Sequence, residues 1–450
     1  MEKNLTTGNV FKTVLSFSLP YLLSYFLQTL YGMADLFIIG QFNGVESTTA
    51  VSIGSQAMHM LTVMIVGLAM GSTILIGRAV GGGKRREASR AIGNTVTLFL
   101  LLSVILTVIL LLAVKPMISV LSTPAEAVRE TVSYLTICFV GIPFITAYNI
   151  ISSVFRGMGD SKSPMYFIAV ACTVNIILDF LFIGIMGLGA VGAALGTTLS
   201  QTFSVIISLT VILKQKTGIS ISAEDLKPDK KTMAELLKIG VPVALQDGFI
   251  QISFIVITIF ANRRGLNDAA AVGIVEKLIG ILFLVPSSML STVSALGAQN
   301  IGAGKHDRAI LVLRYASAIA ICWGIAAVLV MVVLAEPFIG LFTKNSSVIL
   351  LGSQYMRGYV WDCFLAGIHF CFSGYFCAYG MSKISFLHNF LSILCARIPL
   401  AYFASNYFPD TLFPMGLATT AGSLLSVLIC ISVFIWFQKH RKTTVARLYN

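Results

Sequence analysis

The chain is expected to be an all-α polytopic membrane protein: twelve transmembrane helices in two six-helix bundles, related by a pseudo-two-fold axis along the membrane normal. Three observations predict this. Of 450 residues, 56% are hydrophobic and 11% charged, and the mean hydropathy is +0.88; soluble domains carry about 25% charged residues. Residues 91–114, 131–155, 315–335 and 411–438 contain no charge, and a membrane helix needs roughly 20 such residues. Finally, the chain repeats itself. Lys115-Pro116-Met117-Ile118 returns as Glu336-Pro337-Phe338-Ile339, and Gly81-x-Gly83-Lys84 as Gly302-x-Gly304-Lys305. Phe155-x-x-x-Gly159-x-Ser161-Lys162 returns as Phe376-x-x-x-Gly380-x-Ser382-Lys383, always 221 positions later. Pro20 returns as Pro242, one residue out of register. A fixed offset across most of a chain marks a duplicated domain. A barrel would instead show alternating strands of about ten residues, and none is present.

The spans follow in order. The first, 13–40, carries Pro20, Gly32 and Asp35. The second, 47–77, leads into the turn Gly81-Gly82-Gly83, where three glycines are expected to supply positive φ. The third, 91–114, is charge-free and runs into Lys115-Pro116. The fourth, 131–154, is also charge-free. The fifth, 164–184, carries Asn175 and Asp179. The sixth, 190–213, opens on the small residues Gly189-Ala190-Val191-Gly192-Ala193-Ala194, which permit close backbone approach. A polar segment, 214–235, is expected to be a plain cytoplasmic linker between an N-lobe (1–213) and a C-lobe (236–438). The copy then runs through 236–261, 270–298, 310–334, 353–378, 384–404 and 415–437, and a cytoplasmic tail, 439–450, ends the chain. Six spans return the chain to its starting side. The halves therefore share orientation, and two bundles facing a central cavity are expected.

The formal net charge of +12 is not a nucleic-acid signal. With the N-terminus inside, inner segments hold Lys3, Lys12, Arg78, Lys84, Arg85, Arg86, Arg90, Arg156, Lys162, Lys216, Lys305, Arg308, Lys442 and Arg447, among others, while the outer side holds few. This bias places both termini in the cytoplasm. The eight cysteines fall mostly inside spans and read as apolar packers, not as a disulfide frame or metal cluster. The glycine turn before Lys84 fails the phosphate-loop pattern, because Arg85 follows where Ser or Thr is required. An embedded enzyme would need clustered catalytic groups, and His59, His369 and His388 stand alone. No cofactor is expected.

A charge at the bilayer centre costs about 2.5–3.5 kcal/mol on insertion scales. Asp35, Asp179, Asp247, Glu276, Lys277, Asp362 and Arg397 therefore each need a reason. Asn175 and Asp179 are four apart and share a helix face. With Asp35 and Thr197 they form an all-oxygen set, and the first half's spans offer no basic counter-ion. Paired carboxylates in low dielectric can hold a proton, or the oxygens can bind a hard cation such as Na⁺. In the second half, Asp247, Glu276 and Asp362 have Lys277 and Arg397 available, so internal ion pairing stands beside a second polar site. Phe26, Met64, Tyr148 and Trp361 are candidate cavity residues for flat cationic compounds.

The 6+6 parallel repeat, Pro20 followed by Asp35, Gln299-Asn300-Ile301-Gly302-Ala303-Gly304-Lys305, and Asn175-x-x-x-Asp179 with Val191-Gly192-Ala193-Ala194-Leu195-Gly196-Thr197 resemble the multidrug and toxic compound extrusion (MATE) family, and within it the DinF-like branch. The resemblance spans nearly the whole chain. It implies antiport across the plasma (inner) membrane: H⁺ or Na⁺ enters, and a small organic, often cationic, compound leaves. It also implies a coupling site on Asp35, Asn175, Asp179 and Thr197, which would hold Na⁺ if Na⁺ is the coupling ion. The expected partners are small organic substrates and the lipid bilayer, not nucleic acid, and a monomer is expected. A major-facilitator transporter would show Asp-Arg in the turn after the second span, where this chain has Val80-Gly81-Gly82-Gly83-Lys84-Arg85. A lipid or lipid-linked precursor flippase of the same superfamily would have about fourteen spans and a more basic cavity.

Overall fold

The structure is a computed structural model describing residues 4–121, 123–214 and 222–449, with side chains as far as residue 441. Lys3, Lys216, most of the first half of the expected linker (215–221), the side chains of Lys442 and Arg447, and the end of the tail lie outside the described residues. Among the described residues, all regular structure is helical. The first half comprises α1 (Val10–Phe42), α2 (Val45–Gly81), α3 (Arg85–Val120), α4 (Val128–Val140), α5 (Ile142–Gly157), α6 (Lys162–Asp179) and α7 (Gly189–Lys214). The second comprises α8 (Lys230–Arg264), α9 (Leu266–Leu282), α10 (Leu284–Gly302), α11 (His306–Gly340), α12 (Ser346–Tyr359), α13 (Trp361–Ala378), α14 (Ser382–Ser392), α15 (Ile398–Tyr407) and α16 (Phe413–Tyr449). Among the described residues, eleven helical runs are long and apolar enough to cross a membrane, and the bent pair α4–α5 makes a twelfth if it is one span. The chain is an all-α, multi-pass membrane protein.

Several helices outrun the spans expected of them. The 33 residues of α1 extend about 50 Å at 1.5 Å per residue, while the hydrocarbon core is about 30 Å thick. The fourth span, expected over 131–154, is bent: α4 and α5 meet at 47°. Pro143 sits at the start of α5, where its missing N–H costs nothing. Gly141 lies so close to α7 that a Cβ there would come within 2.6 Å of the Thr198 methyl.

The repeated motifs prove to be repeated backbone torsions. Gly83 and Gly304 have φ of +70° and +71°, and Gly159 and Gly380 have +90° and +71°. At each, a helix ends with a bond spanning five residues: Lys84 N–H to Ala79 O, Lys305 to Asn300, Asp160 to Phe155, Met381 to Phe376. This is the Schellman termination, which requires a left-handed residue and so favours glycine. It corrects the expectation for the glycine triplet. Only Gly83 takes positive φ; Gly81 is helical, and Gly82 has φ −79°. Gly82 instead answers a close approach, since a Cβ there would meet Gly302 O at 3.0 Å.

Two compact units are present. Unit 1 contains Leu19–Gly240 with Met1–Thr6 and Gly302–Gly304; unit 2 contains Thr7–Ser18, Val241–Ile301 and Lys305–Asn450. The chain changes unit in mid-helix, just before Pro20 in α1 and just before Pro242 in α8. Within unit 2, Arg308 donates to the Thr7 and Gly8 carbonyls, and Phe11 packs edge-on against Tyr315. Within unit 1, α8 begins against α2, where Cβ atoms on Gly71 or Gly240 would collide with the Leu236 or Leu68 carbonyl.

The described part of the expected linker is not loose. Asn94 of α3 donates to the Asp225 carbonyl at 3.3 Å and accepts from the Asp229 N–H at 2.7 Å. Thr97 donates to Leu226 O at 2.7 Å, and Arg90 pairs with Asp229 at 2.6 Å. Gly93 leaves room for the Asp225 carbonyl.

Candidate cation site in the first half

Asp35 comes from α1, Asn175 and Asp179 from one face of α6, and Thr197 from α7; all four are buried. Thr197 Oγ1 donates to Asp35 Oδ2 at 3.2 Å. The α6–α7 approach depends on small residues. A Cβ on Gly192 would stand 3.1 Å from the Phe182 backbone, and one on Gly196 would collide with Asp179 Oδ1 and stand 3.6 Å from Asn175 Nδ2. Asp35 Oδ1, both Asp179 carboxylate oxygens and both polar atoms of the Asn175 amide are buried without a hydrogen-bond partner. Each orphaned polar group costs about 1–3 kcal/mol. Four of these five atoms are oxygens, the donor type that hard cations take. The set therefore fits a proton or Na⁺ chemically.

Three further residues neighbour this site and are not among those the sequence singles out. Tyr31, one turn before Asp35 on α1, is an electrostatic neighbour of both carboxylates. Tyr134 and Cys138 of α4 neighbour Asp35. Spacing could have found Tyr31, because it precedes Asp35 by four residues on the same face. Immediately after Asp179, residues Phe180–Ile185 form a π-helical stretch. A second, Ile393–Arg397, carries Arg397 at its end. Wide turns of this kind are rare and cluster at functional sites.

Arg156, expected in an inner segment just past the fourth span, lies in the last turn of α5 and is only 9% exposed. A charged residue closing an apolar stretch reads as loop, and nothing local signals that another helix covers it.

Of the second-half residues, Glu276 and Asp362 are electrostatic neighbours of Arg397. Asp247 is half-buried and Lys277 exposed. Glu276 accepts from Thr258 at 3.3 Å. Asp362 is buried, and its Oδ1 has no partner. Arg397 donates to the Tyr359 hydroxyl at 2.8 Å and lies 4.7 Å over the Phe254 ring. Among the described residues, no ion pair within 4.0 Å joins these five. Of the candidate cavity residues, Tyr148 is buried and donates to Pro164 O at 3.4 Å. Met64 is half-buried, and Phe26 and Trp361 are exposed. No group of three or more His, Cys, Asp or Glu residues among the described residues could hold a metal ion.

Apolar helical spans in two copies, with buried acids on α1 and α6, are the build of a membrane transporter. The MatE family pattern matches residues 20–181 and again 242–403, so the chain belongs to the MatE family. The two matches are themselves the duplication seen in the sequence. The chain is similar to "Probable multidrug resistance protein YoeA" of Bacillus subtilis, 26% identical over 96% of this chain and 95% of that protein. It is also similar to "Multidrug export protein MepA" of Staphylococcus haemolyticus, 24% identical over 84% and 83%. Among solved structures, MATE in complex with MaL6 superposes with a TM-score of 0.89 at 22% identity, over 99% of this chain and 98% of that one. A MOP superfamily transporter from Pyrococcus furiosus superposes at 0.87, with 22% identity, over 99% and 98%. These likenesses show the shared fold.

Proposed function

We propose that the chain is a secondary active multidrug efflux antiporter of the DinF-like kind. It exports small organic, often cationic, compounds in exchange for H⁺ or Na⁺. It works as a monomer in the cytoplasmic membrane, with both termini in the cytoplasm. The names of its relatives support the export of drugs. The observation that carries the coupling site is the set of buried, unpartnered oxygens on Asp35, Asn175 and Asp179. Two carboxylates in low dielectric repel each other, and a proton or Na⁺ relieves that repulsion. Entry of the cation at α1, α6 and α7 then changes how α1 sits in the N-lobe (1–213), with Pro20 and Gly32 as flex points. Phe26, Met64 and Tyr148 in unit 1 and, separately, Trp361 in unit 2 are the candidate contacts for flat cationic compounds. The C-lobe (236–438) carries Asp247, Glu276, Lys277, Asp362 and Arg397 as a second polar site.

The test is dye efflux from reconstituted vesicles under a pH jump and, separately, under a Na⁺ gradient. Asp35→Asn and Asp179→Asn are each expected to abolish driven efflux with expression unchanged. Full activity in either variant would overturn the assignment.

A further inference from the structure

We propose that Arg156 is an anion-binding residue inside unit 1, built to hold the carboxylate or phosphate group of a small molecule. Its guanidinium carbon lies 4.1 Å over the centre of the Tyr21 ring, and the residue is only 9% exposed. Among the described residues its electrostatic neighbours are the phenols of Tyr21, to which it also hydrogen-bonds, Tyr25 and Tyr148. The nearest acid in sequence is Asp160. It is turned away to cap α6, accepting from the Lys162 and Ser163 amides at 3.0 and 3.2 Å and from the Ser163 hydroxyl at 2.7 Å. Asp35 stands fourteen residues beyond Tyr21 on α1, about 21 Å away at 1.5 Å per residue.

Among the described residues no carboxylate pairs with this guanidinium, and stacking on a phenol covers one face without neutralising it. What the guanidinium offers is a planar fork of donors, shaped for two oxygens on one carbon or phosphorus. The duplication argues independently that this is not a packing device. At the repeat offset Arg156 becomes Cys377, Tyr21 becomes Val243 and Tyr148 becomes His369. The second bundle carries no cation at this repeat position; the one it buries, Arg397, sits elsewhere, over Phe254 and against the Tyr359 hydroxyl. The cation and its phenols belong to one half only. This anion site stands apart from the acid cluster and does not depend on cation coupling there.

The test is thermal unfolding of the purified full chain in nanodiscs at constant ionic strength, with chloride replaced stepwise by acetate or inorganic phosphate. One nanodisc set contains phosphatidylcholine alone, and a second adds phosphatidylglycerol. In phosphatidylcholine the wild type is expected to gain a saturable rise in Tm from acetate and phosphate. R156Q is expected to lose it, and R156K to require about tenfold more anion, because the fork is gone. A response that phosphatidylglycerol abolishes supports the site with a lipid phosphate as its occupant; one that survives supports a soluble anion. A wild type that responds alike to chloride, acetate and phosphate overturns the proposal, as does an unchanged response in R156Q. Should R156Q fail to fold, R156K decides, and an undiminished midpoint overturns it.

Discussion

A missing methyl group sets the depth of the acid pair. Gly196 has no Cβ, and the Asp179 carboxylate occupies the space one would take. Gly196→Ala is therefore expected to push Asp179 off its position and to raise several-fold the cation concentration needed for half-maximal efflux. It should also destabilise by about 1–3 kcal/mol, the usual cost of overpacking. Gly192→Ala is the comparison, because its Cβ would press on Phe182 rather than on a carboxylate. It should lower stability while leaving the cation dependence alone. Equal cation profiles for the two variants would contradict this role for Gly196. At this scale the sequence was partly legible. Asn175 and Asp179 share a face by spacing alone, and Thr197 follows the small residues that let α7 approach. Arg156 was not legible, because its burial comes from Tyr21, distant in sequence, and a hydropathy count sees only a charge at the end of an apolar run.

At the level of elements, twelve apolar spans could be counted, but their interruptions could not. The α4–α5 bend depends on Gly141 meeting Thr198 of another helix. The π stretches beside Asp179 and at Arg397 leave no mark in composition. The clasp on α3 was read as a plain linker, since recognition runs largely through the main chain of 225–229 and main chain has no letter code. Its acids make it pH-sensitive in a defined sense. The Thr232 hydroxyl and amide hold the Asp229 carboxyl below the usual range, and the Ser222 amide and hydroxyl do the same for Asp225. A folded value below the unfolded one means that this contribution is fully present above the unfolded pKa, about 3.9. It is lost as pH falls through the folded value. Amide exchange over 222–232, corrected for intrinsic rates, should keep its protection from pH 8 to 5 and lose it below about 4. Loosening between pH 7 and 6 would rule this out. Asn94→Ala should remove the protection at every pH.

For the whole molecule, duplication is the most legible feature and also the most misleading. It marks where one copy follows the other, near 214–235, yet the compact units change over inside α1 and α8. A fragment ending at Gly240 should therefore resist proteolysis in membranes better than one ending at Lys214, since only the longer keeps the α3 clasp and the α8–α2 contact. Equal resistance would show that 222–240 contributes nothing to unit 1. The Schellman glycines show what duplication preserved, which is four backbone torsions. The buried charges show what it did not, because Asp35, Asp179 and Arg156 meet Ile257, Leu400 and Cys377 at the repeat positions. The changeover in α1 also orders events in time. The carbonyls of Thr7 and Gly8 are held by Arg308, about 300 residues downstream. At roughly 5–20 residues per second, the ribosome needs about 15–60 s to deliver that arginine. The segment leading into α1 is thus completed only after most of the chain behind it has been made, and it must wait in the membrane for a partner not yet synthesised.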